Sequence, residues 1–270
     1  MKKTQFGIKR TLSGLFLASI CLAAVAISLL SGCMSGASES GMSTDGGAKG
    51  GKSGSLARFQ IVGEHLYALS GNSLHVYGIS DPAAISFQGY SDVGFGIETL
   101  FARGSKLYIG SQTGMHIYDI TDRVAPVKTA EMTHIRSCDP VVVEGDLAYL
   151  TLRSGGSRCW GGNNELQIID IKDSYAPVKL KTFPMANPHG LGIDGEKLFI
   201  CDGYAGLKVY KVGADFSISL TERVDGIEAF DVIPGTGSGK ILILIAKEGL
   251  FQYDYGEYPM KQLSLIKIGS

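Results

Sequence analysis

Charge is scarce in this sequence, and what there is nearly cancels. Charged residues make up 19% of the 270, with 25 Lys and Arg against 26 Asp and Glu, so the basic footprint that nucleic-acid binding needs is absent. No Gly-x-x-x-x-Gly-Lys-Ser or Gly-x-Gly-x-x-Gly carries a strand into a helix, which removes the loops that cradle nucleotide phosphates. No two histidines have the His-x-x-x-His spacing of a zinc site, and no cysteine stands in a protease-like setting with His and Asn. Beyond residue 55 there is no helical period of useful length. Glycine is abundant, with 37 residues in a chain that also carries 12 Tyr and 11 Phe. Short strands joined by tight turns, and hence an all-β protein, are the expectation.

The N-terminus reads as an address. Lys2, Lys3, Lys9 and Arg10 precede an uncharged apolar stretch from Thr11 to Leu30, the layout of a secretory signal. The stretch is also long enough for a membrane-spanning helix. Leu30-Ser31-Gly32-Cys33 resembles the bacterial lipobox, and that resemblance implies cleavage before Cys33, acylation of its thiol and attachment to a lipid bilayer. Loss of residues 1–32 leaves 21 basic against 26 acidic residues, a mildly acidic body. Residues 33–55 are rich in glycine and serine and too poor in apolar side chains to order themselves, so they read as a tether with a mean span of roughly 26 Å. By similarity to lipoprotein sorting in two-membrane bacteria, Met34 after the cysteine places the protein in the cell envelope, at the outer membrane.

Residues 56–270 are self-similar. Gly63 to Ala68, Gly104 to Ile109, Gly145 to Leu150 and Gly195 to Ile200 are copies of one segment, and Lys240 to Ile243 is a weaker fifth. A second segment follows each copy, ending at Tyr77, Tyr118, Ile169, Tyr210 and Tyr253, with spacings of 41, 51, 41 and 43 residues. The third copy therefore carries an insertion. Alternation and turn residues divide a unit into four strands, exemplified by 98–102, 106–111, 115–120 and 127–132. Four-stranded units at this period are β-propeller blades, whose apolar faces are buried when neighbours stack. The expectation is a five-bladed β-propeller whose first and fifth blades meet by side-chain packing, without exchange of a terminal strand.

Met115-His116-Ile117-Tyr118-Asp119-Ile120-Thr121-Asp122 and Leu166-Gln167-Ile168-Ile169-Asp170-Ile171-Lys172-Asp173 resemble the LVIVD repeat, a strand ending in an acidic turn. The chain is similar to LVIVD-repeat lipoproteins of the bacterial envelope. That resemblance implies an all-β propeller and carries no shared activity. The Trp-Asp dipeptide and the Ser-x-Asp-x-Gly-x-Thr-Trp box of other propellers are absent.

Counting six residues back from each inner-strand glycine places Glu98, Asp139 and His189 around one channel mouth, and Glu228 joins them through the Gly-Ile-Glu it shares with Glu98. Such a ring can be a merely solvated rim, a site for a hard cation such as Ca²⁺ or for a sugar, or an acid and base pair. No cofactor is otherwise implied. The insertion opens on the same face and carries Arg153, Arg158, Cys159, Trp160 and Asn163, a mixture common at binding hot spots. In an oxidising envelope Cys138 and Cys159 are expected to form a disulfide that stiffens it, with Cys201 unpaired and buried. His75 and His116 share one repeat position and read as packing residues. The reading that results is a non-catalytic binding scaffold for a protein or glycan. A carbohydrate-active enzyme using Glu98, Asp139 and Glu228 is the alternative.

Overall fold

The computed structural model describes residues 54–134, 140–155, 162–235 and 239–268, and among these there are twenty strands and no helix. Cys33, Cys138, Asp139, Arg158, Cys159 and Trp160 lie outside the described residues. The first blade holds β1 (Phe59–Val62), β2 (His65–Ser70), β3 (Ser73–Gly78) and β4 (Ser86–Asp92). The second holds β5 (Ile97–Arg103), β6 (Lys106–Ser111), β7 (Gly114–Asp119) and β8 (Val127–Thr133). The third holds β9 (Val141–Glu144), β10 (Leu147–Leu152), β11 (Glu165–Asp170) and β12 (Val178–Pro184). The fourth holds β13 (Leu191–Asp194), β14 (Lys197–Cys201), β15 (Leu207–Val212) and β16 (Ile218–Val224). The fifth holds β17 (Ala229–Pro234), β18 (Ile241–Ala246), β19 (Gly249–Asp254) and β20 (Lys261–Lys267). Each blade is one antiparallel sheet of four consecutive strands, so the chain is a five-bladed β-propeller, and among the described residues no strand is exchanged between blades.

Local chemistry explains why the unit repeats. Gly63, Gly104, Gly145 and Gly195 open the two-residue turns between first and second strands with φ of 58° to 61°, a left-handed conformation that glycine adopts without a Cβ penalty. Every pairing of third with fourth strand carries a register shift at the same repeat position, as at Ile117/Tyr118 and Ile168/Ile169. The acidic turn after the third strand is held by its own side chains. Asp119 Oδ1 accepts the Thr121 N–H at 2.7 Å and Asp122 Oδ1 accepts the Val124 N–H at 3.0 Å. Asp170 and Asp173 do the same for Lys172 and Tyr175, both at 2.9 Å. The aspartates of the LVIVD-like segment are thus turn formers.

Packing follows the repeat. Each blade turns one face, here called leading, toward the blade before it, and the other, trailing, toward the blade after it. Four apolar clusters fill the interfaces between blades one and two, two and three, three and four, and four and five. In the first of these Tyr67, Leu69, Leu74 and Val76 of blade one meet Leu107, Ile109 and Tyr118 of blade two. Among the described residues no such cluster joins blade five to blade one, and β17 does not run beside β1 as the other consecutive inner strands run beside each other. The side-chain seam expected between the first and fifth blades is therefore absent. At the axis Gly54 and Ser55 are packed against Asp231 of β17.

Candidate functional site

Gly54 and Ser55, which the sequence assigns to the tether, are buried inside the propeller, Ser55 to 1% exposure. Leu191 at the head of β13 donates its N–H to Ser55 Oγ at 2.7 Å, and that hydroxyl donates to Asp231 Oδ1 at 3.2 Å. The Leu56 and Val232 N–H groups also donate to the Asp231 carboxylate. Two residues further on, the Ala57 carbonyl accepts the Leu100 N–H at 2.8 Å. A Cβ on Gly54 or on Gly190 would overlap the Asp231 carboxylate oxygens, so the close approach requires glycine at both places. Residues 54–57 thus run as a strap from blades four and five to blade two. Burial pushes the Asp231 carboxyl up to about 6, against the lowering effect of the hydrogen bonds from Val232, Ser55 and Leu56.

The strap passes below the mouth at which the sequence places its ring. His189 lies just ahead of β13, its N–H donating to the Cys201 carbonyl at 2.7 Å and its carbonyl accepting the Thr151 hydroxyl at 2.5 Å. The imidazole packs edge-on against Phe230 with centroids 5.5 Å apart, and its Nε2 is 3.3 Å from the Asn187 amide nitrogen. Burial, reinforced by the positive charge of Arg153 and opposed by Glu228 and Asp202, lowers the His189 pKa to about 4. His189, Arg153 and Glu228 are therefore close enough to feel one another. The Glu228 carboxylate is paired with Lys247 at 3.3 Å.

Glu98 stands on β5. Gln112 Nε2 donates to its Oε1 at 3.0 Å, and Arg58 Nη1 donates to the Ile97 and Glu98 carbonyls at 3.3 and 3.5 Å. Among the described residues no group of three or more His, Cys, Asp or Glu side chains is arranged to hold a metal ion. Asp139, the third carboxylate of the expected ring, falls outside them. The insertion leaves β10 at Arg153 and is clamped where it returns. Asn164 Oδ1 accepts from the Ser154 N–H at 2.8 Å and the Ser154 hydroxyl at 3.1 Å, and its amide donates to the Ala186 carbonyl at 2.7 Å. Asn163 beside it is exposed.

Several further residues complete the picture. Asp202, fully buried, accepts the Ala186 and Asn187 N–H groups at 3.2 and 2.7 Å and pairs with Lys208. It holds the segment that leads to His189. Neither Asp202 nor Asp231 follows from the repeat, although a carboxylate in an inner strand is visible in Ala229-Phe230-Asp231. Cys201 is free and fully buried, and burial pushes its thiol up. His116 is 4% exposed while His75 stacks among Tyr77, Phe87 and Tyr90 with centroids 5.9 to 6.3 Å away, so both pack. Gly46 to Ser53 spells Gly-x-x-x-x-Gly-Lys-Ser, but the described chain after it enters a turn and then β1, without the helix a phosphate loop needs. At the other end of the strands a cleft of about 360 Å³ opens between blades four and five, lined by Lys197, Phe199, Lys211, Glu222, Tyr255 and Tyr258.

No protein-family model matches the chain, and no curated protein matches it. Solved structures do. The periplasmic gluconolactonase of Pseudomonas aeruginosa superposes with a TM-score of 0.59 at 15% identity, over 77% of this chain and 68% of that one. A protein from Lactobacillus plantarum gives 0.60 at 15%, over 76% and 67%. Apo AztD from Citrobacter koseri gives 0.53 at 11%, over 75% and 60%. At these identities the likeness is one of fold, and about a third of the first two chains and 40% of the third have no counterpart here.

Proposed function

We propose that the protein is a lipid-anchored, non-catalytic binding scaffold of the bacterial envelope, held to the membrane through acylated Cys33. Its ligand, a protein or a glycan, is received at the channel mouth beside the third-blade insertion. The observation that carries this reading is the character of His189. With a pKa of about 4 it is a neutral imidazole at physiological pH, too weak a base for efficient proton abstraction. It is framed by Phe230, Asn187 and Arg153, which together suit hydrogen bonding and stacking. The carboxyl pushed toward neutrality, Asp231, is walled in by Gly54, Ser55 and Gly190.

The test is a screen of the full chain against a glycan array, envelope extracts and hydrolase substrates that include lactones. Binding that falls at least tenfold in both His189→Ala and Arg153→Ala, with no turnover, is the expected result. Turnover that disappears in Glu98→Gln would overturn it in favour of an enzyme. For the anchor, Cys33→Ser releases the protein from membrane fractions, and unchanged fractionation would refute acylation. Non-reducing peptide mapping tests the expected Cys138 to Cys159 disulfide.

A further inference from the structure

The cleft between blades four and five lies where two departures from the repeat coincide. Tyr67 on β2 reaches across the interface between blades one and two and donates its hydroxyl to the Arg123 carbonyl, in the acidic turn of blade two, at 2.8 Å. Tyr108 and Tyr149 hold the same register on β6 and β10, but on β14 the residue is Phe199, which has no hydroxyl to donate. The turn opposite it is also short. Asp254 to Pro259 has two residues fewer than Asp119 to Pro126 or Asp170 to Pro177. The space left is about 360 Å³, within the range of small-molecule sites, roughly 300–1,000 Å³.

Its floor is apolar and its rim is charged. Phe199 and Val209 are 0% and 3% exposed, and Tyr255 stands edge-on to Phe199 with centroids 5.1 Å apart. Met260 and Tyr258 add to the lining, Tyr258 with 78% of its surface exposed. Of the basic groups at the cleft, Lys211 is paired with Glu196 at 3.5 Å, and Lys197 donates to the Tyr255 carbonyl at 2.9 Å. Lys240 nearby is paired with Asp194 at 2.6 Å. Two carboxylates remain. Glu222 Oε1 accepts the Met260 N–H at 2.5 Å, and neither Glu222 nor Glu257 has a salt-bridge partner among the described residues. Against them stands the single ammonium of Lys197. The aromatic wall favours positive charge as well, since the chain's own Lys197 and Lys240 already lie over the Tyr255 ring, 5.6 and 5.7 Å from its centroid.

We infer that the cleft is a second binding site, for a small organic cation: an ammonium or quaternary ammonium group on an apolar body. The body is received by Phe199, Val209 and Met260, and the charge by Glu222, Glu257 and the Tyr258 ring. An anion of the same shape would meet two carboxylates with one ammonium to offset them. The inference is independent of the ligand proposed for the channel mouth, which lies at the other end of the strands.

Equilibrium dialysis of the full-length protein against benzyltrimethylammonium tests it, with benzyl alcohol as the uncharged probe and phenylacetate as the anionic one. Binding of the cation at least tenfold tighter than of either is expected. Combining Glu222→Gln with Glu257→Gln weakens it at least tenfold, while the amide oxygen at 222 still accepts from Met260. Phe199→Tyr, which supplies the hydroxyl that Tyr67, Tyr108 and Tyr149 carry, also weakens it at least tenfold. His189→Ala, at the channel mouth, leaves it unchanged. Phenylacetate or benzyl alcohol bound as tightly as the cation, cation binding that survives the double variant or Phe199→Tyr, binding lost in His189→Ala, or no saturable binding would each overturn the inference.

Discussion

Blades one and two share a pattern and differ in circumstance. Leu66, Ala68, His75 and Tyr77 stand at the same repeat positions as Leu107, Ile109, His116 and Tyr118, on the same face of the same kind of sheet. The second set is at most 4% exposed because blade one covers it, and the first is only half-buried. The comparison teaches that burial in a repeat protein belongs to the neighbour as much as to the residue, since each unit supplies half an interface.

The largest expected effect comes from truncating matched leucines. Leu107→Ala opens a cavity in a filled interface and should lower stability by about 2–5 kcal/mol. Leu66→Ala, on the uncovered face, should cost less than about half as much. Urea unfolding of the two variants checks this, and equal losses would dissolve the distinction between covered and uncovered faces.

A second test concerns the register shared by Thr99 in blade two and Asp231 in blade five. Thr99 is neutral, while the Asp231 carboxyl is raised from 3.8 to about 6 by burial. The unfolded chain gives up this proton near pH 4 and the folded chain holds it to about pH 6, so its contribution is full below pH 4 and is lost as pH rises to 6. The loss is about 3 kcal/mol. Asp231→Asn should therefore gain on the wild type by about that amount between pH 4 and pH 7. A difference between the two proteins that does not change over this range would argue against a buried, protonated carboxyl.

His189 runs in the opposite sense. Its folded value near 4 lies below the usual 6.5, so stability is present above pH 6.5 and is lost as pH falls toward 4. The residue is only partly buried, and solvent screening reduces the effect to on the order of 1–2 kcal/mol. His189→Gln should flatten that acid limb. The smallest effect separates the paired histidines. Burial first, then the charge of Lys128, lowers His116 against the pull of Glu131, so in an NMR titration its ring should lose its proton below pH 6.5. A value above that would mean that blade one does not seal this face.

Much of the architecture is legible without coordinates because it is written in short-range chemistry. The expected strand at 106–111 is β6, and those at 98–102 and 127–132 differ from β5 and β8 by a residue at each end or at one. Turn glycines and self-capping aspartates report local conformation, and they recur. The mouth was legible in part. Counting from the glycine located His189 and Glu228, whose charge acts on the imidazole, and Glu98, whose carboxylate accepts from Gln112. Repeat counting fixes a residue's height in its own blade and carries no information about which side chains across the channel turn toward one another.

The strap was not legible for a different reason. Gly54 and Ser55 belong by composition to a disordered tether, and only the pocket made by Gly190, Leu191 and Asp231, drawn from blades more than a hundred residues away in sequence, gives them a place. By itself the sequence determined the blade, its turns and the number of blades, because alternation and turn chemistry act over a few residues. Which carboxyl was buried, and which residues join the inner strands at the axis, were decided only by tertiary structure, since each depends on what lies across the axis from a residue and the chain has no local signal for that.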